Sequence, residues 1–451
     1  MKFRILVLLL TIFIIGNSFS QNNPDSIRLD SARIKKKIVK PKKWNFVILP
    51  NLGYDSDLGF YFGGLANVFY CKGVFPDFKH SWYVEWTHYT KGSDKKIFQF
   101  ESKTLIPKVR FAFDISYGTE QALDFIGFNG YESTYNRSLM LEGNTDYISR
   151  MFYKHERKML RVMVNFKGKV FNPHLKWVLG LMYEGIKTRT VNIARINEGK
   201  DSSEMLPAVD LLYDKYVKWG IINQNEKLGG KSLLLKMGMD YDTRDLEAAP
   251  SRGMWSALVI IQGHSFLPLK DMNYTQLVLT HRQYFSLVKK HLVFAYRFNY
   301  QGRLFGEIPY YMLPFLYNSF GSPTDGLGGG SSLRGIVRNR LVGDGSVYGN
   351  VEIRWKILQV RIFKQMVGLA VTPFFDAGMI VDKHDYHLVN ENAVTESAPY
   401  IRTGRETVHM AYGSGIHYII NENIIGSAYL AVPVTKKDGF FGFYMSLNYM
   451  F

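Results

Sequence analysis

The stretch Leu292-Val293-Phe294-Ala295-Tyr296-Arg297-Phe298-Asn299-Tyr300 sets Leu, Phe, Tyr, Phe and Tyr on one parity and Val, Ala, Arg and Asn on the other. A two-residue period belongs to a β-strand whose two faces meet different surroundings. Val109 to Tyr117 repeats it with Arg110, Ala112, Asp114 and Ser116 between apolar residues, and Leu160 to Lys167 does so with Arg161, Asn165 and Lys167. A soluble sandwich alternates too, so period alone leaves two architectures open. Charge separates them: bulky rings on nearly every strand would crowd the inside of a closed sheet, whereas Arg and Asp on the other parity suit a wet interior. Rings facing lipid around a polar lumen describe a transmembrane barrel. Such a sheet has to close, because an open edge in hydrocarbon leaves backbone donors and acceptors unpaired.

Composition agrees. Tyr and Phe number 29 and 32, aromatic residues make up 15% and charged residues 21%. The one long apolar run, Ile5 to Ile15, follows Lys2 and Arg4 and precedes Ser18-Phe19-Ser20. It is well short of the roughly 20 residues that a spanning helix needs, and reads as part of a secretory signal peptide, residues 1–20, cleaved after Ser20. Residues 21–43, with Arg33-Ile34-Lys35-Lys36-Lys37 and Lys40-Pro41-Lys42-Lys43, carry no hydrophobic period and read as a basic periplasmic leader. Cys71 is the only cysteine, which excludes a disulfide within the chain and a CxxC metal site. The net charge of +17 comes without the basic helices or aromatic RNA-reading motifs of a nucleic-acid binder. No nucleic acid is expected, and an anionic membrane surface is the natural counterpart.

Sixteen segments carry the alternation: about 44–54, 57–70, 81–91, 95–105, 108–118, 147–170, 174–192, 231–244, 252–263, 273–287, 291–304, 345–359, 366–381, 407–420, 424–434 and 440–451. An even number brings the last strand back to the side on which the first began. If the odd segments rise outward, the short connections at 106–107, 172–173, 289–290 and 421–422 fall on the periplasmic side. The long ones, about 119–146, 193–230, 305–344 and 382–406, then fall outside. The expected fold is all-β: a transmembrane antiparallel β-barrel of about 16 strands over residues 44–451. Its last segment sets Phe441, Phe443, Met445, Leu447, Tyr449 and Phe451 outward. Leu447, Tyr449 and Phe451 are similar to the terminal β-signal read by outer-membrane assembly machinery.

Four polar motifs interrupt the pattern. Asp240-Tyr241-Asp242-Thr243-Arg244-Asp245 closes the eighth segment, and Leu333-Arg334-Gly335-Ile336 follows a glycine-rich run. Asn350-Val351-Glu352-Ile353-Arg354 lies on the twelfth segment and Phe374-Phe375-Asp376-Ala377-Gly378 on the thirteenth. The glycines do not make a phosphate loop, since no helix follows a strand there and no Lys-Ser/Thr closes the run. Taken alone, Arg334 reads equally well as a solvated arginine on an outer loop, and the Asp-Thr-Arg-Asp run as a strand-end charge ladder. His384-Asp385-Tyr386-His387 has metal-like spacing but falls in an outer loop, where solvated side chains are expected. No nucleophile elbow, HExxH or paired-carboxylate pocket appears, so neither enzymatic activity nor a cofactor or metal is expected.

Together and in this order, the motifs resemble the barrel of the BamA/TamA superfamily of outer-membrane assembly factors, the bacterial surface antigen family. The motifs cover about residues 230–451; the strand count extends the likeness to the rest. The resemblance implies that the loop of about 305–344 folds back into the lumen, where Arg334 and Gly335 at its tip meet Glu352 and Asp376 on the wall. By parity Glu352 shares a face with Tyr348, Asn350 and Arg354, and Asp376 with Thr372 and Phe374, the less lipid-like faces. Family members usually carry POTRA domains ahead of the barrel, for which residues 21–43 are too short, and Ile336 stands where an aromatic is common. The implied role is insertion, assembly or translocation of outer-membrane or surface proteins by a monomeric barrel in the outer membrane of a Gram-negative bacterium. The first and last strands would pair weakly enough to open. Expected partners are outer-membrane lipids including lipopolysaccharide, client outer-membrane proteins and periplasmic chaperones. The alternative is a passive pore or surface receptor that keeps the fold alone.

Overall fold

The computed structural model describes residues 43–451 other than 57, 72–77, 248, 268–270, 289–290, 363–364 and 421–423. The expected signal peptide, and the leader apart from Lys43, lie outside the described residues, as do the connections at 289–290 and 421–422.

Sixteen strands close into one antiparallel barrel. The first half comprises β1 (Trp44–Asp55), β2 (Gly59–Cys71), β3 (Phe78–Tyr89), β4 (Asp94–Ile106), β5 (Val109–Asp124), β6 (Lys154–Lys169), β7 (Leu175–Arg189) and β8 (Gly229–Asp242). The wall continues with β9 (Gly253–Phe266), β10 (Met272–Val288) and β11 (Leu292–Gly306). The two-residue strands β12 (Phe315–Leu316) and β13 (Thr324–Asp325) pair with each other inside the loop after β11. The wall resumes at β14 (Gly345–Ile362), β15 (Gln365–Asp382), β16 (His409–Ile420), β17 (Ile424–Pro433) and β18 (Gly442–Leu447). Each of the sixteen expected segments matches one wall strand.

The lipid and lumen faces follow the alternation. Along β6, Leu160 is 37% exposed and its neighbour Arg161 only 4%. On β11, Phe298 is exposed while Ala295, Arg297 and Asn299 are buried inside. A chain with lipid on one side and a filled lumen on the other has to repeat this on every strand.

Two expected boundaries fail, each for a packing reason. The sixth segment, expected from 147, begins at Lys154, because Phe152 and Tyr153 are drawn into an apolar cluster with Phe128, Tyr216, Trp219 and Tyr310. That cluster joins the long connections at 125–153, 190–228, 307–344 and 383–408 to inward residues of the wall such as Met163, Leu234 and Val259, and it caps that end of the barrel. The last segment, expected to run to 451, stops at Leu447; Asn448 takes a left-handed φ of 68° and turns the chain inward. Phe441, Met445 and Leu447 are exposed on the outer wall, but Phe451 is 6% exposed and packs in the lumen against Tyr284, Val293 and Ala295. Tyr449 lies over the Arg354 guanidinium at 4.2 Å. Their expected outward placement is therefore corrected: once the ladder ends, burying an aromatic ring against the inner wall outweighs continuing the strand.

The seam where the barrel closes is thin. β1 is registered to β18 at the single pair Asp55 and Tyr444, extended by a hydrogen bond from Ser56 N to Phe443 O at 3.1 Å. The next shortest ladder of the wall, between β17 and β18, joins Gly426–Ala431 to Gly442–Leu447.

Candidate functional site

The loop between β11 and β14 enters the lumen and turns sharply at its tip. Gly328, Gly329 and Gly335 hold positive φ of 118°, 76° and 86°, a region that side chains other than glycine rarely adopt. Buried Ser332 knits the turn: its Oγ accepts from Gly328 N at 2.9 Å and lies 3.0 Å from Gly326 O. At Gly335 even a methyl group would meet the Ala431 Cβ at 3.0 Å and its carbonyl carbon at 3.1 Å. Glycine is what lets this tip lie flat on β17.

Arg334, between these glycines, is wholly buried. Its Nε and main-chain N donate to Asp376 Oδ2 at 2.9 and 3.0 Å, and Nη2 donates to Asp376 Oδ1 at 2.8 Å. Nη1 donates to Glu352 Oε1 at 2.7 Å. The guanidinium carbon sits 3.4 Å from the centroid of the Phe374 ring. Wall parity makes this convergence possible. Asn350 stands opposite Asp376 and Glu352 opposite Phe374 in the β14–β15 ladder, so the two carboxylates occupy neighbouring lumen positions within one guanidinium's reach. The planar fork matches a carboxylate in two-point geometry.

The network runs further than the motifs indicated. Glu352 Oε2 accepts from Arg354 Nε at 2.8 Å, and Arg354 Nη2 donates to the main-chain oxygen of Phe451 at 2.6 Å. Arg334 and Arg354 thus share the two buried carboxylates Glu352 and Asp376, the pairing that makes burial of charge tolerable. Asn350 accepts from Arg297 Nε and donates to Ser332 O, each at 2.8 Å. Tyr444, at the seam, accepts from Gly335 N at 3.3 Å. The tip is thereby tied to β11, β14, β15 and β18 at once.

A second set of pins had no forecast. Arg157 on β6 pairs with Glu120 at 2.5 Å and Asp325 at 2.6 Å, and Arg338 holds the same two acids at 2.6 and 3.1 Å. Arg161 pairs with Glu184 of the neighbouring wall strand at 2.5 Å and donates from Nη1 to Pro323 O of the plug at 3.4 Å. Arg340 donates to Gly130 O at 2.7 Å, which joins the plug to the cap. The sequence carries no signal for them, because the arginines of Arg338-Asn339-Arg340 suit solvent as well as a lumen. Between plug and wall lie cavities of about 30 and 10 Å³, the scale of single water molecules.

The other predicted residues lie apart from Arg334. Asp242 accepts from Arg244 Nε and Nη2, both at 2.9 Å. Asp245 accepts from Ser251 N at 2.9 Å, Leu246 N at 3.0 Å and Arg252 N at 3.3 Å. These three residues shape the turn between β8 and β9. Asp240 points into the lumen, wholly buried, and pairs with Lys167 at 2.5 Å. His384, in the outer connection, is 3.0 Å from Asp344, and the described residues hold no group of three or more metal-ligating side chains.

A closed sixteen-stranded barrel whose lipid-facing wall surrounds a plug loop pinned by a buried arginine defines a class of outer-membrane protein. Residues 100–451 match the model of the Omp85 superfamily domain, and the chain belongs to that superfamily, whose barrels sit in the outer membrane of Gram-negative bacteria. Among solved structures, BamA from Haemophilus ducreyi lacking POTRA domains 1-3 is similar with a TM-score of 0.51 and 15% identity, over 90% of this chain and 70% of that one. CdiB from Escherichia coli is similar with a TM-score of 0.51 and 10% identity, over 89% of this chain and 62% of that one. At such identities the likeness is one of fold. No curated protein matches the chain by sequence.

Proposed function

We propose that this barrel inserts, assembles or translocates outer-membrane or surface proteins, and that it does so at the seam between β1 and β18. The observation that carries the reading is the single registered pair, Asp55 and Tyr444, that closes an otherwise fully laddered wall. From Phe46 to Leu52 the edge of β1 has no ladder partner on its β18 side among the described residues. An open edge at membrane depth is a template for an incoming strand, which would add to it by main-chain hydrogen bonding. The plug laid across the lumen supports this reading over a passive pore, since Arg334 and Arg338 pin it to acids of the wall and Arg340 ties it to the cap.

In this reading the protein is not an enzyme, is exported by residues 1–20, and works as a monomer with client barrels and periplasmic chaperones as its partners. Leu447, with Tyr449 and Phe451 beyond the closing strand, carries the terminal β-signal, and Arg334, Gly335, Glu352 and Asp376 act as the lock that holds the plug. The test is a cysteine pair, Asp55→Cys with Tyr444→Cys. Directly opposed antiparallel residues have Cα separations that suit a disulfide. Oxidation is expected to lower the surface level of client proteins in cells depleted of the native copy, and reduction to restore it. Unchanged client levels with the seam locked would refute the seam mechanism. Altered small-solute conductance with unchanged clients would select the passive pore.

A further inference from the structure

Three lysines on the outer wall lack a counter-charge. Lys158 on β6, Lys187 on β7 and Lys231 on β8 are exposed and share the parity of the lipid-facing residues. They stand at the end that carries the long connections, which in a barrel of this kind is the cell-surface end. Lys158 is directly opposite Lys187 in the ladder. Lys231 is opposite Gly185, two residues along β7 from Lys187. Among the described residues no carboxylate comes within ion-pair distance of any of the three. Glu156, two residues from Lys158, is already held by Arg189 at 2.5 Å and Arg195 at 2.8 Å.

Like charges directly opposite each other weaken a strand pair, and an anion between Lys158 and Lys187 would relieve that repulsion. Toward the middle of the membrane the same faces continue as exposed Leu160, Leu181, Leu233 and Leu235. Cationic groups therefore sit where an apolar stripe meets the aqueous surface. The far side of the wall has no equivalent: the outward positions near the loop end of β14 to β17 are Val347, Val381, Met410 and Val432.

We propose that the outer faces of β6, β7 and β8 form a docking surface for a phosphorylated glycolipid of the outer leaflet. The three ammonium groups hold its phosphates and the leucine stripe receives its acyl chains. A compact ammonium on a flexible stem suits phosphate as a point charge. The stripe beneath is what selects a lipid over free phosphate. This surface lies on the wall remote from the seam, and the proposal stands whether or not the barrel handles clients.

The test uses the full barrel purified in detergent, with bisphosphorylated lipid A as the probe and native mass spectrometry as the readout. The triple variant Lys158→Gln, Lys187→Gln, Lys231→Gln is expected to retain at least tenfold less of the lipid than the wild type. The corresponding triple Lys→Arg variant is expected to retain it in full. Heat-modifiable migration on a gel reports that each barrel is folded. Should the triple glutamine variant give little folded protein, Lys187→Gln alone removes the opposed pair and is expected to lower retention at least threefold. Equal retention by wild-type and glutamine barrels would overturn the proposal. So would equal retention of a phosphate-free lipid A, or full displacement of the lipid by millimolar inorganic phosphate, which would leave a simple anion site.

Discussion

Removing Arg334 and removing Asp376 both break the contact between them, and the structure says how unequal the two losses are. The Asp376 carboxylate receives the Arg334 main-chain N, Nε and Nη2. Arg334→Ala strips it of both side-chain donors and leaves it buried. Asp376→Ala leaves Arg334 its bond to Glu352 and its contact with the Phe374 ring. Breaking a buried pair by deleting one partner costs about 3–5 kcal/mol, so Arg334→Ala is expected near the upper end and Asp376→Ala near the lower. Independent losses would sum to roughly 6–10 kcal/mol on the same scale. Since the pair can be lost only once, the double variant is expected to fall no more than about 5 kcal/mol below the wild type, a coupling of about 3 kcal/mol. Urea unfolding of the barrel in detergent, followed by tryptophan fluorescence at constant m, measures each term. A double variant whose loss equals the sum of the singles within about 0.5 kcal/mol would refute a direct lock. Arg334→Lys adds a control: it keeps the charge but cannot hold Asp376 at two points and Glu352 at a third, so it is expected to recover only part of the loss.

Other perturbations reach other parts of the same assembly. Gly335→Ala is expected to destabilise by about 1–2 kcal/mol, the scale for a side chain forced into left-handed backbone, and to raise protease cleavage within 307–344. Phe451→Ala empties a buried position against Tyr284 and Val293 and is expected to cost about 3–5 kcal/mol, with faster hydrogen exchange in β18 than in β9; equal exchange in both would argue against a tail that secures the seam. In the turn after β8, burial pushes the Asp245 carboxyl up, but the Ser251 hydroxyl and the N–H groups of Ser251, Arg252 and Leu246 outweigh it and hold its pKa below the ordinary range. The turn's extra stability is thus fully present above about pH 4, the ordinary carboxylate value, and is lost as pH falls through the lower folded value. Limited acid proteolysis of the turn is expected to rise below pH 4 in the wild type and to be high and pH-independent in Asp245→Asn.

The wall was legible because each strand meets lipid on one side, so a two-residue period had to recur wherever the chain crosses. Parity then put Glu352 and Asp376 on the inner face without any knowledge of the ladder. The register that sets Asn350 opposite Asp376, and so brings both acids to one guanidinium, depends on pairing that no single segment encodes. The pins at Arg157, Arg338 and Asp325 escaped notice because they depend on the path of the plug across the lumen, which its own residues do not announce. The end of β18 misled for a related reason. Tyr449 and Phe451 keep the strand's alternation, yet Asn448 turns them into the lumen, and an aromatic ring is as suited to an inner pocket as to lipid. The lysines of β6 to β8 were plain in the sequence but unremarkable there; only the ladder shows two of them face to face.

The seam and the plug are not independent parts. Tyr444 is opposite Asp55 where the barrel closes, and its hydroxyl accepts from Gly335 at the plug tip. Arg354 joins Glu352, which grips Arg334, to the Phe451 main chain just beyond β18. Moving β18 away from β1 therefore breaks contacts to the plug, and loosening the plug removes supports of β18. Beyond its one registered pair the seam is held by Ser56 N to Phe443 O at 3.1 Å, by Phe443 N to Ser56 Oγ at 2.7 Å and by the Tyr61 hydroxyl to Met445 O at 3.1 Å, and the plug adds a restraint from inside through Tyr444. In the proposed mechanism the cost of opening is then set by Arg334 and its partners, and it is offset when a client strand supplies ladder hydrogen bonds to β1. The arginine at the loop tip would thus govern the wall two strands and a tail away, through contacts that are each short and buried.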